Sequence, residues 1–353
     1  MLEIYGVIMA GGGGTRFWPL SRRRTPKQLL NLSGKDIMVN EAADRLAQVA
    51  AYRNLYIVTN CEQAEEMKRV TAGRIRADHI LSEPAARNTA ACIGYAAMKI
   101  VHDRGDGILV VTPSDAYIRD TQAFAAVLER AVDAARGGAL VTVGITPTFP
   151  ATGYGYIRCA KGEGVLPVEQ FIEKPPREKA EEYLASGRYF WNSGMFIWKA
   201  SVILQRIEAL LPELYGGLQT IAASFGREDE ARVTAQVYPT LPSVSVDKGI
   251  LERTDGILVV PGEFGWNDVG SWDMLGALHP CDENGNIAVG DTIAVDTENT
   301  VLYAGGRLVA AVGVSDLVVV ETPDAVLVCH RSAAQDVKKI VDRLKEAGRE
   351  ELL

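Results

Sequence analysis

Four consecutive glycines, Gly11 to Gly14, follow an apolar run ending at Ala10 and precede Thr15, Arg16 and, further on, Lys27. Backbone without side chains can bring its N–H groups close to an oxyanion or a flat base, and Arg and Lys add charge-assisted bonds, so phosphate binding is the chemistry this loop suits. Two familiar phosphate loops do not fit. A Walker A loop needs Gly-Lys followed by Ser or Thr, and the GxGxxG fingerprint needs Gly or Ala where Arg16 stands. The plain alternative is a connector from strand to helix. Asp115 closes the run VVTPSD and Asp268 lies in the turn WND. Two such loop-borne carboxylates match the protein's usual share of a Mg²⁺ site that also takes substrate phosphates, although each alone reads equally as a turn or capping residue. Glu173 and Lys174 precede Pro175, which stops a ladder and turns the chain, so both are expected on display; a surface ion pair is the bland reading.

The elements that must hold these residues alternate in type over the first ~145 residues. β-branched runs predict strands at Ile4–Ala10, Leu55–Thr59, Ile108–Val111 and Leu140–Ile145, with helical spacing at Asn40–Val49 and Gln122–Ala135, the pattern of βαβ units. From Thr146 to about Leu278 come a TGYGYIRC loop, a strand entering FIEKPP, a helix from Arg177, a strand at Ser193–Trp198, another at Gly256–Val260 and a short helix near Asp273–Leu278. Asn88 or Thr89 is placed to cap the helix Ala90–Ile100, and Asp247 to cap the helix after it. Beyond Pro280, short strands broken by Asp, Asn, Gly and Pro predict a small β domain, β-helix-like, closed by a helix with Val337, Ile340, Val341 and Leu344 on one face. Coil lengths there are too irregular to define a repeat. The division expected is 1–280 and 281–353.

Composition narrows the function. With 353 residues, 47% hydrophobic, 23% charged and a formal net charge of −8, the chain reads as globular with no broad basic face for nucleic acid. Five scattered cysteines, none in CxxC, and four histidines without ligand spacing argue against a disulfide framework and a zinc site, and read as reduced core thiols of a cytoplasmic protein. No apolar run has membrane-spanning length and no basic region precedes the first apolar stretch; Arg22 to Arg24 lack a following apolar segment and read as loop residues.

In order along the chain, GGGGTRFWPLSRRRTPKQ (11–28), EPAARNTA (83–90), PSDA (113–116), TGYGYI (152–157), FIEKP (171–175), WNSGMF (191–196) and WNDVGSW (266–272) resemble the signature segments of nucleotide-sugar pyrophosphorylases, and the Pro-Lys-Gln ending at Gln28 favours the mannose-1-phosphate guanylyltransferase branch. The departures are Ala116, where the family carries histidine, and SVDKG at 245–249, where it carries a SIDYA-type segment. The resemblance implies a Rossmann-like α/β nucleotidyltransferase core with a mixed sheet plus the small C-terminal β domain. It implies an enzyme that transfers GMP from GTP to mannose 1-phosphate, for GDP-mannose biosynthesis, with Mg²⁺ on Asp115 and Asp268. Arg16 and Lys27 would steady the departing pyrophosphate. Ala10, Gly11, Gly12, Gly13, Gly14, Thr15, Glu83, Pro84, Asn88 and Thr89 would take the nucleotide. Gly155, Glu173, Lys174, Asn192, Ser193 and Asp247 would take the sugar phosphate, and a homodimer without membrane or nucleic-acid partners is implied. A fused isomerase domain, carried by some members, is not expected. Two other readings stay open: a related transferase using another NTP or hexose phosphate, and a catalytically silent nucleotide-sugar sensor.

Overall fold

The run IYGVIM forms β1 (Ile4–Met9), buried through its middle as a strand covered on both faces must be. In the computed structural model, which describes residues 2–353, β1 pairs in parallel with β2 (Leu55–Asn60) and β4 (Ile108–Pro113), and β2 with β3 (Ile80–Glu83). The sheet then turns mixed. Tyr189–Lys199 runs antiparallel to β4 and to Val141–Ile145, which in turn pairs in parallel with Leu258–Gly262; Leu166–Ile172 and Tyr156–Cys159 complete nine strands. Most predicted strands differ by a residue or two at their ends, the strand predicted at Ser193–Trp198 begins four residues earlier, at Tyr189, and β3 has too few residues to announce itself. The helices early in the chain are α1 (Met38–Leu46), α2 (Ala64–Val70), α3 (Asn88–Arg104) and α4 (Thr121–Ala135). Asp120 caps α4, its Oδ1 accepting from the N–H groups of Gln122 (3.1 Å) and Ala123 (2.9 Å).

Two compact units result, and they do not follow chain order. The first comprises the chain up to Gly11, Ala42–Ser114 and Ile118–Trp266; the second comprises Gly12–Glu41, Asp115–Tyr117 and Asn267–Leu353. Within the first, the strand ends of β1, β3 and β4 lie at the carboxyl edge of the parallel strands, and β1 and β4 are where the order reverses, the usual place for a ligand in such sheets.

In the second unit, Ile287–Val289, Val301–Ala304 and Leu317–Thr322 stack in parallel, and Thr292–Val295 with Val309–Val312 form a second parallel ladder, so the chain winds as a β-helix. Equivalent hydrogen-bonded positions recur after 14 residues (Asn286 to Thr300) and then 17 (Thr300 to Leu317), which is why no repeat is legible. Corners use left-handed Asp296, Asn299 and Asp316. Ala325–His330 closes the stack antiparallel to Leu317–Thr322, and the helix Lys338–Glu346 follows. Its core holds Phe17, Trp18, Leu30, Val269 and Trp272 together with Val301, Val318, Val320 and Leu327. Trp18 Nε1 donates to Leu352 O (2.9 Å), Trp272 Nε1 donates to Trp18 O (3.1 Å), and Arg22 pairs with Asp324 at 2.7 Å. Burying Phe17 alone is worth about 2–3 kcal/mol.

The cysteines are unpaired thiols, but not all are core residues: Cys92 and Cys159 are buried, whereas Cys61 and Cys281 are exposed. No helix among the described residues is long and apolar enough to cross a membrane.

Candidate active site

The glycine loop opens the second unit's share of the candidate residues. Gly11, Gly12 and Gly13 are exposed, and a Cβ on Gly12 would meet nothing within 4 Å, so this backbone is open to a ligand. Gly14 differs. Its φ is 58°, and a Cβ there would lie 2.3 Å from Lys27 Cβ and 2.8 Å from Lys27 N, so both conformation and contact demand glycine. Thr15 and the exposed Arg16 begin a short 3-10 turn.

Lys27 gathers the two aspartates. Its side chain is 5% exposed, and Nζ donates to Asp115 Oδ2 (2.9 Å), Asp115 O (2.9 Å) and Asp268 O (2.6 Å). All three N–H groups of the ammonium are thereby engaged, a commitment that spacing alone does not announce. Asp115 keeps 44% of its side chain exposed. Val269, next to Asp268, is a buried β-branched residue at φ 44°, a conformation that costs about 1–3 kcal/mol. Asn267 Oδ1 accepts from its N–H at 2.7 Å, and the surrounding core fixes its side chain, so the Asp268 turn is held in one shape. One ammonium thus holds Asp115 by its carboxylate and carbonyl and Asp268 by its carbonyl, and the two aspartates offer the oxygen donors that suit Mg²⁺, which takes a few protein carboxylates and completes its shell with water and phosphate. Among the described residues no cluster of three or more His, Cys, Asp or Glu offers a closed cage.

The first unit holds a second group. Glu173 Oε1 pairs with Lys174 Nζ at 2.8 Å, and Lys174 is 61% exposed with φ 48°. Gly155 is what lets Glu173 lie there: a Cβ would sit 2.8 Å from Glu173 Oε2 and 3.3 Å from Asn192 Cβ. Asn192 N donates to Gly155 O (2.8 Å), and Asn192 Nδ2 donates to Asp247 Oδ1 (2.9 Å). Burial, followed by the negative charge of Glu173, pushes the Asp247 carboxyl up to about 6. Gly155, Glu173, Lys174, Asn192 and Asp247 are thus one cluster. Ser193 is buried behind it, its hydroxyl donating to Val143 O at 2.7 Å. The cap of the short helix at Val246–Gly249 is Ser245, not Asp247, since Ser245 Oγ accepts from Lys248 N.

At the end of β3, Glu83 is 7% exposed and accepts a hydrogen bond from the Tyr238 hydroxyl. Burial raises its carboxyl to about 7, against the opposing pull of that hydroxyl. Glu83 and Asp247 therefore contribute stability that is full below the ordinary carboxylate range and is lost as pH rises through about 6 and 7. Neither Asn88 nor Thr89 caps α3. Arg87 holds the cap position without a side-chain bond, Asn88 is left-handed (φ 65°) with Oδ1 accepting from Thr89 N (2.8 Å), and Thr89 Oγ1 accepts from Val246 N (2.9 Å). Pro84 lies between Glu83 and this turn, half-buried. Tyr238 was not singled out by sequence; its signal is only the buried carboxylate that needs a donor.

A mixed sheet with the ligand edge at β1 and β4, a glycine loop and loop-borne aspartates define a nucleotide-handling transferase fold. The chain belongs to the nucleotidyl transferase family, whose pattern matches residues 5–284, and residues 290–344 match the MannoseP isomerase/GMP-like beta-helix domain. It is 43% identical to the xanthan biosynthesis protein XanB of Xanthomonas campestris pv. campestris and 40% identical to a mannose-1-phosphate guanylyltransferase of Escherichia coli, in each case over 99% of this chain and 75% of the relative. A crystal structure described as the mannose-1-phosphate geranyltransferase of Thermus thermophilus superposes with a TM-score of 0.89 at 34% identity, covering 98% of this chain and 100% of that one.

Proposed function

We propose that the protein is a mannose-1-phosphate guanylyltransferase: it transfers GMP from GTP to mannose 1-phosphate, releasing pyrophosphate and giving GDP-mannose. The observation that carries this reading is the Lys27 ammonium binding Asp115 and Asp268 beneath Gly14 of the glycine loop. The relatives that are mannose-1-phosphate guanylyltransferases by name point to guanine as the base and mannose as the sugar. A phosphate oxygen of the sugar phosphate attacks the α-phosphorus of GTP in line. One P–O bond forms, the bond to the bridging oxygen breaks, and pyrophosphate leaves with the electron pair, so positioning and charge neutralisation do the work. Mg²⁺ on Asp115 and Asp268 would neutralise the reacting phosphates. Arg16 steadies the pyrophosphate, with Lys27 supporting from beneath as the tie between the two aspartates. Glu83, Pro84, Asn88, Thr89 and the loop from Ala10 to Thr15 take the nucleotide; Gly155, Glu173, Asn192, Ser193 and Asp247 form and support the sugar site. All assigned chemistry falls in 1–280, and 281–353 supply the β-helix region that shares a core with Phe17 and Trp18. A cytoplasmic homodimer completes the proposal, and exposed Val326 and Val328, alternate residues of the closing strand Ala325–His330, offer an apolar strip for a second copy.

The test is Mg²⁺-dependent pyrophosphate release from GTP, ATP, UTP and dTTP, each against mannose, glucose, fucose and N-acetylglucosamine 1-phosphates. Release confined to GTP with mannose 1-phosphate is expected; another preferred pair would move the base or sugar assignment, and silence with retained nucleotide binding would favour a sensor. Lys174→Ala is expected to raise the KM for the sugar phosphate by about tenfold or more, because an exposed ammonium meets a doubly charged phosphate, while the KM for GTP stays within about twofold. Steady-state kinetics with each substrate varied in turn separates the two, and an unchanged sugar-phosphate KM and kcat/KM removes Lys174 from that role.

A further inference from the structure

Tyr238 belongs to no signature segment, yet it is fully buried, in a turn after the helix Glu230–Val237, and its hydroxyl donates to Oε1 of Glu83, 155 residues away. The other carboxylate oxygen lies beside Gly11: Glu83 Oε2 is 3.1 Å from where a Cβ on that residue would stand. Gly11 is exposed and a side chain there would press on that oxygen, so glycine at this position leaves Oε2 uncovered on that side. We propose that Tyr238 is a positioning residue for base selection: by occupying Oε1 it fixes the Glu83 carboxylate so that Oε2 is presented to a base edge rich in donors, the N1–H and 2-amino group of guanine. This rests on the reading of GTP as the nucleotide and adds the residue that makes the selection.

The chemistry is selective because a carboxylate only accepts. Guanine offers two adjacent donors on one edge; adenine offers an acceptor at N1 and would face the carboxylate with repulsion. The surroundings of Glu83 leave it few other partners. Cys92 and Tyr95 on α3 and Tyr238 are the titratable groups that face it, no cation is among the groups that shift it, and both Cys92 and Tyr238 are pushed up by burial and by the carboxylate's own charge. Protonation of Glu83 would convert Oε2 from acceptor toward donor, so selection should weaken as pH falls through about 7. The Tyr238 hydroxyl opposes protonation, so its loss should move that weakening to higher pH. Phenylalanine at 238 keeps the edge-on packing against the Tyr95 ring, whose centroid is 5.6 Å away.

The experiment measures kcat and KM for GTP and for ITP, which lacks only the 2-amino group, between pH 6 and 9 in wild type, Tyr238→Phe and Glu83→Gln, with calorimetric binding of both nucleotides alongside. Because both nucleotides carry the same triphosphate, its own titration cancels in the GTP/ITP ratio. In wild type the preference for GTP should rise with pH through about 7. Tyr238→Phe should raise the KM for GTP and lower the GTP/ITP preference by about tenfold at neutral pH, with kcat within about twofold and the transition displaced to higher pH. Glu83→Gln should abolish the pH dependence of the ratio. A role in packing alone would lower stability or kcat and leave the ratio and its pH profile untouched, and that result for Tyr238→Phe overturns the proposal. Should that variant not fold, a wild-type ratio flat across the pH range and unaltered in Glu83→Gln overturns it equally. If the wild type binds GTP over ITP in a Tyr238-dependent way but releases no pyrophosphate, the proposal stands and the transferase reading fails; absence of GTP binding overturns both.

Discussion

Replacing Asp268 by asparagine should lower Mg²⁺-dependent turnover by about a thousandfold or more while the protein stays folded. The substitution preserves size and shape and removes one negative charge. The turn itself does not depend on that charge: Lys27 binds the backbone carbonyl of Asp268, Asn267 Oδ1 accepts from Val269 N, and the buried Val269 side chain pins the next position. What the proposed site loses is one of the two carboxylates that would hold a divalent cation. Initial rates across a Mg²⁺ titration, with thermal melting as the control for folding, make the measurement. Turnover within about tenfold of wild type would exclude Asp268 as a metal ligand.

Lys27→Met is expected to fail in two ways at once. Methionine fills similar volume beneath Gly14, but it leaves three oxygens, Asp115 Oδ2, Asp115 O and Asp268 O, without their common donor. Because Asp115 is 44% exposed, its carboxylate can turn to water, so most of the stability cost comes from the two carbonyls. A loss of about 3 kcal/mol and a fall in Tm on the order of 5–10 °C are expected. Turnover should drop about a hundredfold or more even below the new Tm, since the aspartates are no longer tied to one another. Lys27→Arg should not rescue it, because a planar fork cannot place three donors around a single point. Near-normal rates with a lowered Tm would make Lys27 purely architectural.

The legible parts of this molecule are those where one physical signal dominates. β1, β2 and β4 are read within a residue or two because an unbroken apolar run has one good fate in a two-sided sheet. α4 is read nearly whole because its spacing agrees with the Asp120 cap. The signature loop, Asp115, Asp268 and the Glu173–Lys174 pair stand out in the sequence as candidates because Gly, Asp, Glu and Lys at strand ends suit exposed chemistry. What escapes depends on long-range pairing. Asn88 is a plausible cap by type, yet it takes a left-handed turn while Thr89 is engaged by Val246, 157 residues away. Tyr238 is one of twelve tyrosines until Glu83 is seen to need a donor. The triple engagement of Lys27 likewise requires segments 88 and 241 residues distant to meet.

The packing of Phe17 and Trp18 among Val301, Val318, Val320 and Leu327 bears on how such chains can be recombined. A single crossover near residue 280 exchanges the β-helix but strands the loop's anchor against foreign valines, and it severs the bond from Trp18 to Leu352 and the Arg22–Asp324 pair. The heritable module is discontinuous: Gly12–Glu41 must travel with Asn267–Leu353, so that the glycine loop's anchor and the coils that shoulder it come from one parent.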